Sequence, residues 1–575
     1  MNYRDSYEFW LNDSYFGDET KDELRNILDD NEIKERFYKD LEFGTGGLRG
    51  ILGAGTNRMN IYTVGKATQG FAQYLIESKE IDHTKGVAIS HDPRNMSPEF
   101  ARAIALVFNA NGIKTYIYPS LRPTPQLSFT VRKLDLAGGV MVTASHNPPE
   151  YNGYKVYGPD GAQVTYPYDD QIIGYVNNTR IDQIKTMDIE AAKSAGLYNV
   201  FDDSIDKDFI QSCLETSINP DIIKEYADIP LVYTPIHGAG YMPTVELLKA
   251  AGFTNVHVVA EQAEPNGDFP TVKYPNPEED QVYDLGKKLA EKVGADVIFA
   301  SDPDADRVGI VARDDNGDWY KLNGNQTGVL LTEYILTNLR KQGKLPKNAA
   351  VITSIVSSDM TNVIAMANNV DCFEVFTGFK YIGELIKKFE DTGSHKFVYG
   401  FEESYGYLVG DYARDKDAVG IAMLLAEIAA YCKSQGTTIP GYLNETYLKY
   451  GFFKEETISL TLKGIEGTEK IGRIMDYFTD KVPDQIAETK LVEYRNYKTG
   501  ILTDITSGKE STMDFPKSNV RSFKLSDESW ICVRPSGTEP KIKLYVGVVR
   551  GTEQDAKAQL KKLCDGLLDI VNNIK

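Results

Sequence analysis

The stretch from residue 86 to residue 146 decides the fold. It alternates apolar β-type runs with amphipathic helical runs: GVAIS (86–90), SPEFARAIALVFNANG (97–112), KTYIYP (114–119), PTPQLSFTVRKL (123–134) and GGVMVTASH (138–146). Strands that alternate with helices in this way predict an open α/β sheet. The last strand runs into a polar turn, and open α/β sheets bind their ligands where strands end.

The same alternation recurs twice along the chain. A second round contains LVYTPIHG (231–238) and DVIFASDPDADR (296–307), and a third ends in a long helix at 418–434. From about residue 452, strand-like runs alternate with two helices, predicted at 467–479 and 552–572, as in a small α+β domain. A chain of 575 residues needs more than one core. We therefore predict three similar α/β domains and a smaller C-terminal α+β domain, with bounds at 1–215, 216–325, 326–450 and 451–575.

Residues 1 to about 40 form a lead before the first sheet. Apolar residues are spaced through a strongly charged background, which predicts amphipathic helix. The glycine-rich stretch FGTGGLRG follows at 43–50.

Charge and cysteine content argue against several classes of protein. The net charge is -20 and there is no run of Lys or Arg, whereas nucleic-acid binding needs a basic surface. The five cysteines form no CxxC pair, which argues against a zinc site or a disulfide framework and suits a reducing cytosol. No apolar run is long enough to span a bilayer, and the N-terminus lacks a signal-peptide core. We expect a cytoplasmic protein with neither a nucleic-acid nor a membrane partner.

DPDADR at 302–307 is the strongest single motif. Alternate residues of an extended segment point the same way, so Asp302, Asp304 and Asp306 can converge on one hard cation. An EF-hand loop has the same spacing, but Arg307 and Arg313 stand where that loop needs Gly and Glu. A solvated acidic turn is the alternative interpretation.

TASHNPPEYNGYKVY at 143–157 is the second motif. Ser145 ends an apolar strand in a turn that can hold its hydroxyl out, with His146 as a candidate proton carrier and Lys155 as a cation for phosphoryl oxygens. No GxSxG nucleophile elbow is present. An ordinary Ser-Asn-Pro turn remains the alternative.

Two further segments carry polar groups suited to a phosphorylated sugar. RPSGTEPK at 534–541 offers the fork of Arg534, two hydroxyls and a glycine that admits an anion, although a strand-terminal turn explains it equally well. GFEESYGY at 400–407 offers acceptors for sugar hydroxyls, and RDKDAV at 414–419 adds Arg414 and Lys416 as candidate phosphate ligands. A charged surface loop is the alternative for the two segments at 400–407 and 414–419.

TASHNP, DPDADR, GFEES and RPSGT occur in an order and at a spacing that resemble the α-D-phosphohexomutase family. The resemblance runs from about residue 40 to residue 550, and the long lead, FGTGGLRG and NGYKVY look most like its long bacterial α-phosphoglucomutase branch. The resemblance implies four domains around a central cleft.

The resemblance also implies a role for each matching residue. Ser145 would carry the phosphoryl group and would give an oxygen to the Mg²⁺ ion, one per chain, that Asp302, Asp304 and Asp306 hold. The other residues expected to act in catalysis are Lys155, Arg49 and His146. The residues expected to bind substrate are Arg307, Thr377, Gly378, Glu402, Ser404, Lys416, Arg534, Ser536, Gly537 and Thr538.

The reaction implied is the interconversion of glucose 1-phosphate and glucose 6-phosphate. Phosphoserine would give its phosphoryl group to the sugar, and glucose 1,6-bisphosphate would be the intermediate and activator. Glucose is favoured by the branch resemblance only, so mannose phosphate, pentose phosphate or synthesis of glucose 1,6-bisphosphate remain alternatives. A metal-dependent phosphatase and a non-catalytic phosphosugar-binding protein are the alternatives from other classes. The expected partner is a small phosphosugar, and the expected assembly is a monomer or a dimer.

Overall fold

The computed structural model of the protein describes residues 2–44, 46–462, 464–536 and 541–574. Its contacts divide the chain into two units. The first is Met1–Ile352 with Gly378–Pro440, and the second is Thr353–Thr377 with Gly441–Lys575. Among the described residues, no helix combines the length and the apolar character needed to cross a bilayer.

The helices and strands follow in chain order. The helices are α1 (Tyr3–Asn12), α2 (Asp18–Arg25), α3 (Asp30–Phe37), α4 (Ile61–Glu77), α5 (Ser97–Ala110), α6 (Thr124–Lys133), α7 (Tyr168–Asn178), α8 (Ile189–Ser194), α9 (Ser204–Leu214), α10 (Pro220–Glu225), α11 (Tyr241–Ala251), α12 (Asp284–Val293), α13 (Gly324–Lys341), α14 (Met360–Ala367), α15 (Phe379–Thr392), α16 (Ala418–Gln435), α17 (Ile439–Tyr450), α18 (Gly464–Asp480) and α19 (Glu553–Asn573). The strands are β1 (Gly47–Ile51), β2 (Val87–His91), β3 (Thr115–Ile117), β4 (Gly138–Val142), β5 (Tyr151–Tyr157), β6 (Tyr198–Val200), β7 (Leu231–Thr234), β8 (Val256–Val258), β9 (Val297–Ser301), β10 (Val308–Arg313), β11 (Trp319–Leu322), β12 (Ala349–Ser354), β13 (Asp371–Val375), β14 (Lys396–Glu402), β15 (Gly406–Val409), β16 (Phe452–Thr461), β17 (Gln485–Ile486), β18 (Thr489–Asn496), β19 (Ile501–Asp504), β20 (Lys509–Thr512), β21 (Arg521–Leu525), β22 (Trp530–Pro535) and β23 (Lys541–Arg550).

The first sheet of the first unit has the strand order β1-β5-β4-β2-β3-β6. Strands β2, β3, β4 and β6 are parallel, while β5 runs antiparallel to β4, and β1 runs antiparallel to β5. Helices cover both faces of the parallel part, so β4 is buried at every position and is almost entirely apolar. The antiparallel pair β1 and β5 extends this sheet at one edge and carries several of the predicted site residues.

The second sheet repeats this plan. Its order is β11-β10-β9-β7-β8, with β7, β8 and β9 parallel and with β10 and β11 antiparallel. In the third sheet, β12 lies beside β14, and β14 pairs antiparallel with β15. In the first two sheets the predicted polar motifs begin where a buried strand ends, at β4 and at β9.

The second unit is built on an antiparallel sheet. Its order is β16-β23-β22-β21-β18-β19-β20, and β17 pairs with β18. Helix α19 packs against β16 and β23, and α18 packs against β21 and β22. The two helices predicted at 467–479 and 552–572 are α18 and α19, so the predicted class of three α/β domains and a C-terminal α+β domain is confirmed.

The N-terminal lead differs from its prediction. It forms three short helices, α1 to α3, because turn-forming residues interrupt the pattern: Asp13 follows α1 in an extended conformation, Gly17 precedes α2, and the Asp29 side chain caps α3. Their apolar faces meet in a cluster of aromatic side chains with Trp10 stacked on Phe16, their ring centroids 4.4 Å apart.

Candidate active site

The three aspartates of DPDADR lie in the turn between β9 and β10. All three are buried, and one carboxylate oxygen from each lies within 4.8 Å of the other two. The turn closes on itself because Asp302 Oδ1 accepts the backbone N–H of Asp306, at 3.1 Å, and of Arg307, at 3.0 Å. The alternative of a solvated acidic turn is therefore wrong, since these carboxylates are inside the protein.

Asp304 and Asp306 are each held through one carboxylate oxygen. Asp304 Oδ2 accepts from Thr124 Oγ1 and from Lys155 Nζ, both at 2.8 Å. Asp306 Oδ2 lies 3.1 Å from Lys155 Nζ and 3.2 Å from Lys416 Nζ. Within the described part of the chain, Asp304 Oδ1 and Asp306 Oδ1 are buried with no hydrogen-bond partner. Buried, unpartnered carboxylate oxygens are the donors that a hard divalent cation takes, so these residues fit a metal ion.

The charges of the cluster and its neighbours shift one another's pKa values. Burial, reinforced by Asp304 and Asp306, raises the pKa of Asp302 well above its ordinary value. Burial acts in the same sense on Asp306, but Lys155, Lys416 and Arg307 outweigh it and lower that pKa. Burial would lower the pKa of Lys155, and the aspartates reverse this, so Lys155 stays cationic. A positive charge beside the aspartate cluster is thus present at all physiological pH values.

Ser145 follows β4 and faces the aspartate cluster. Its Oγ donates to Asp302 Oδ2 at 2.9 Å and lies 3.1 Å from His146 Nδ1. Burial, followed by the charges of Arg307 and Arg49, lowers the pKa of His146 well below its ordinary value. A neutral imidazole beside a hydroxyl can accept its proton.

The antiparallel pair β1 and β5 carries two of the predicted cations, Arg49 and Lys155. In the register, Gly47 is opposite Lys155 and Arg49 is opposite Gly153. Arg49 is exposed, and its Nη1 donates to Asn147 Oδ1 at 3.2 Å, in the turn that carries Ser145. Gly47 has φ +148°, and a Cβ there would lie 1.8 Å from the Tyr154 carbonyl oxygen, so only glycine fits.

Two of the predicted sugar-binding residues, Glu402 and Ser404, lie at the end of β14 and in the turn that follows it. Glu402 ends β14, is buried, and accepts the backbone N–H of Gly378 at 2.5 Å through Oε1. Ser404 is half-buried in the turn to β15. Thr377 is the last residue of its segment in the second unit, directly before Gly378.

Arg307 and Lys416 lie at the aspartate cluster. Arg307 Nη1 donates to Glu278 Oε1 at 3.1 Å, and its Nε is 3.9 Å from Asp306 Oδ1. The Lys416 side chain packs directly against Gly406. A Cβ at that position would lie 2.1 Å from Lys416 Cδ, so a larger residue there would displace the lysine. Both cations therefore lie beside carboxylates of known position.

The predicted phosphate cradle belongs to the second unit. Arg534 is in β22, opposite Lys543 of β23, and the Ser536 backbone N–H donates to the Lys541 carbonyl at 2.8 Å. Gly537 and Thr538 lie outside the described residues. The first unit therefore brings together Ser145, His146, Lys155, the three aspartates, Arg307 and Lys416, and the role of each remains a prediction.

Comparisons with known proteins agree with this arrangement. Residues 40–182, 207–317 and 323–450 match the phosphoglucomutase/phosphomannomutase alpha/beta/alpha domains I, II and III, and residues 496–565 match the C-terminal domain of the same family. The chain belongs to this family. The resemblance inferred from four motifs is thereby confirmed, while the four domain boundaries given above stay predictions.

Relatives of the family cover nearly the whole chain. A phosphoglucomutase of Staphylococcus haemolyticus is 36% identical over 90% of this chain and 91% of its own length, and one of Staphylococcus aureus is 37% identical over the same shares. Among solved structures, parafusin, a phosphoglucomutase from Paramecium, superposes with a TM-score of 0.68 at 20% identity over 93% of this chain and 95% of its own. A family protein from Burkholderia thailandensis gives 0.63 at 17% identity, over 92% and 97%. These two structures support the fold alone.

Sequence analysis missed several residues that build this family site. Thr124 and Glu278 bond Asp304 and Arg307, and Asp92 and Arg94 bond the turn that carries Ser145. The signal available was positional: DPRNM (92–96) directly follows β2, at the same sheet edge as the serine turn.

The suggestion that Arg414 binds phosphate is not supported. Its side chain is buried, its Nη2 donates to Glu390 at 2.7 Å, and its Nη1 donates to the backbone carbonyl of Asp411 at 2.8 Å. The guanidinium is thus already bonded to neighbouring protein groups rather than directed at a ligand.

Proposed function

We propose that the protein is a phosphoglucomutase that interconverts glucose 1-phosphate and glucose 6-phosphate through a phosphoserine at Ser145. One observation carries the proposal: the Ser145 hydroxyl donates to Asp302 at 2.9 Å, in a cluster of three buried carboxylates flanked by Lys155. A nucleophilic oxygen beside a cation site and a fixed ammonium is the equipment that phosphoryl transfer needs. The phosphoglucomutase relatives described above support the choice of reaction.

Mg²⁺ is the cation that we assign to Asp302, Asp304 and Asp306, with an oxygen on Ser145 as a further ligand. All these donors are oxygens, which Mg²⁺ prefers, and two of the carboxylate oxygens are buried with no partner among the residues that the structure describes. When bound, the ion would neutralise negative charge on the phosphoryl group.

The chain's own residues then divide the work. In the forward step the bond between phosphorus and Ser145 Oγ breaks and a bond from phosphorus to a sugar hydroxyl oxygen forms. The proton lost by that hydroxyl ends on Ser145 Oγ, which leaves as the serine hydroxyl. Lys155 and Arg49 would stabilise the charge on the transferring group. His146 Nδ1, 3.1 Å from Ser145 Oγ, is placed to exchange a proton with it.

Substrate recognition is assigned to the remaining predicted residues. Glu402 and Ser404 would bind sugar hydroxyls, Thr377 and Gly378 would also bind substrate, and Arg307 and Lys416 would face the reacting phosphate. The phosphate that is not transferred would bind at Arg534, Ser536, Gly537 and Thr538. Glucose 1,6-bisphosphate would be formed when Ser145 gives up its phosphoryl group, and rephosphorylation of Ser145 by its other phosphate would complete the cycle. A monomer or dimer located in the cytoplasm remains our prediction.

The test is conversion of glucose 1-phosphate to glucose 6-phosphate by the purified full chain with Mg²⁺ and a trace of glucose 1,6-bisphosphate. We expect turnover that is lost with EDTA and lost in Ser145→Ala. Ser204→Ala, at an exposed serine, should behave as wild type. Turnover by Ser145→Ala would refute the phosphoserine. Preference for mannose 1-phosphate or ribose 1-phosphate, run in parallel, would correct the sugar, and no turnover of any sugar would favour a binding protein.

A further inference from the structure

Ser145 adopts a backbone conformation that residues other than glycine rarely adopt. Its φ is +53°, in the left-handed region, although it is an L residue with a Cβ. Such a conformation persists only where the surroundings hold it, and it occurs most often at functional sites. The groups that hold Ser145 in place are therefore of interest in their own right.

The guanidinium of Arg94 donates hydrogen bonds to several backbone carbonyls of the serine turn. Arg94 is 1% exposed, and its Nη2 donates to the carbonyl of Ser145, at 2.6 Å, and to that of Asn147. Its Nη1 donates to the carbonyls of Pro148, at 2.7 Å, and Tyr151, at 2.9 Å. One planar group thus fixes four carbonyls on both sides of the turn, which a lysine ammonium has neither the reach nor the geometry to do.

Asp92 links this guanidinium to the other side of the serine. Its Oδ2 lies 3.2 Å from Arg94 Nε and accepts from Thr143 Oγ1 at 2.7 Å, and Thr143 Oγ1 in turn accepts the backbone N–H of Ser145 at 2.8 Å. The Ser145 carbonyl is bound by Arg94 and its N–H by Thr143, so both peptide groups that define its φ and ψ are fixed by one buried network.

A buried pair of charges is weak evidence for stability, because apolar side chains of similar volume often stabilise a core at least as well. Asp92 is fully buried and Arg94 nearly so. Asp92 Oδ1 accepts the Ser97 hydroxyl and the Arg94 backbone N–H, both at 2.9 Å, and the other side-chain bonds of the pair end on the serine turn or within the pair. A geometric role accounts for this arrangement better than a contribution to stability does.

We propose that Asp92, Arg94 and Thr143 are positioning residues that lock Ser145 in the left-handed conformation and so aim its Oγ at Asp302. The inference rests on the proposed function of Ser145 as the phosphoryl carrier. None of the three touches the reacting group; they act through the backbone of the serine turn.

Thr143→Val tests the proposal, because it removes the hydroxyl that joins Asp92 to the Ser145 N–H and keeps the shape of the side chain. Since a displacement of about 1 Å in a reacting group can lower a rate about 100-fold, we expect kcat to fall between about 10- and 100-fold with KM nearly unchanged. Thr143→Ser keeps the hydroxyl and should restore most of kcat. Arg94→Lys, with one nitrogen for four carbonyls, should show the same loss as Thr143→Val.

Thr68→Val is the matched control. Thr68 is fully buried in the same sheet domain, and its hydroxyl donates within α4 to the Val64 carbonyl at 2.8 Å. A purely structural role for Thr143 would give both valine variants a similar loss of melting temperature and an unchanged kcat, which would overturn the proposal.

A crystal structure of Thr143→Val gives a readout that does not depend on activity. We expect Ser145 to leave φ near +53°, or its Oγ to move by more than about 0.5 Å relative to Asp302. A Ser145 with unchanged φ and position would overturn the positioning role even if the variant were slow. Failure of the wild-type chain to turn over phosphosugars would instead refute the proposed function, and the crystallographic comparison would still decide the geometry.

Discussion

Gly47→Ala is the substitution whose effect the structure defines most directly. A Cβ at Gly47 would lie 1.8 Å from the Tyr154 carbonyl oxygen, which belongs to the backbone of β5 and has no freedom to turn aside. Non-bonded carbon and oxygen atoms stay at least about 3 Å apart, so β1 and β5 must separate by about 1 Å. That separation breaks one or two ladder hydrogen bonds, and alanine at φ +148° adds backbone strain. Together these effects amount to about 3 to 5 kcal/mol.

The functional consequence follows from what the two strands carry. Lys155 is opposite Gly47, and Arg49 lies two residues further along β1. A shift of about 1 Å in these cations should reduce kcat between about 10- and 100-fold.

The assay measures kcat for glucose 1-phosphate together with thermal unfolding. Gly174→Ala is the control, because Gly174 lies inside α7 with no atom within 4 Å of the added Cβ, and alanine there favours the helix. If Gly47→Ala kept wild-type kcat and melting temperature, the assigned pairing of β1 with β5 would be refuted.

Three further substitutions test the cation site, a buried carboxylate and the second unit. Asp304→Asn should raise the Mg²⁺ concentration for half-maximal activity at least about tenfold, because a charged ligand becomes neutral, and an unchanged Mg²⁺ requirement would remove Asp304 from the site. Glu427→Ala should lower the free energy of unfolding by about 3 to 5 kcal/mol, because several buried donors lose this acceptor, among them the backbone N–H of Asn219 at 2.7 Å and the Tyr334 hydroxyl at 2.8 Å. A loss below about 1 kcal/mol in urea unfolding would contradict this. Burial raises the pKa of Glu455 to about 7, so its contribution to stability is complete at low pH and is lost as pH rises through 7. Glu455→Gln should therefore melt about 2 to 4 °C higher than wild type at pH 8. The two proteins should melt alike near pH 4, below the ordinary pKa of 4.5, and an equal difference at both pH values would show that the carboxyl charge is not responsible.

Local sequence patterns predicted most of the secondary structure for a physical reason. The runs GGVMV and VIFAS are short, apolar and bounded by polar turns, and they form β4 and β9 because both faces of a parallel strand are buried. The lead before residue 40 was predicted less well. Its helical periodicity was correct, but the turn residues around Asp13 and Gly17 divide it into three helices that are stabilised by packing of aromatic side chains from distant positions.

The candidate site likewise contains residues that the sequence predicted and residues that it did not. Its motifs were recognisable because phosphoryl chemistry needs particular residue types at a fixed spacing, and family membership, predicted from those motifs, is confirmed by the comparisons. The roles of Arg94 and Thr124 were not predictable, because each acts on a partner that is far away in the chain: Arg94 lies 51 residues from Ser145, and Thr124 lies 180 residues from Asp304.

The sequence by itself determined the alternation of strands and helices, the family, and the residue types of the serine and aspartate turns. Only the tertiary structure decided that the Ser145 hydroxyl faces Asp302, that Lys155 bonds both Asp304 and Asp306, and that a buried arginine holds the serine turn. The physical reason is the range of the interactions. Propensity and hydrophobic periodicity act over a few neighbouring residues, whereas the position of a charged side chain in a low-dielectric interior is set by partners that folding brings together from distant parts of the chain.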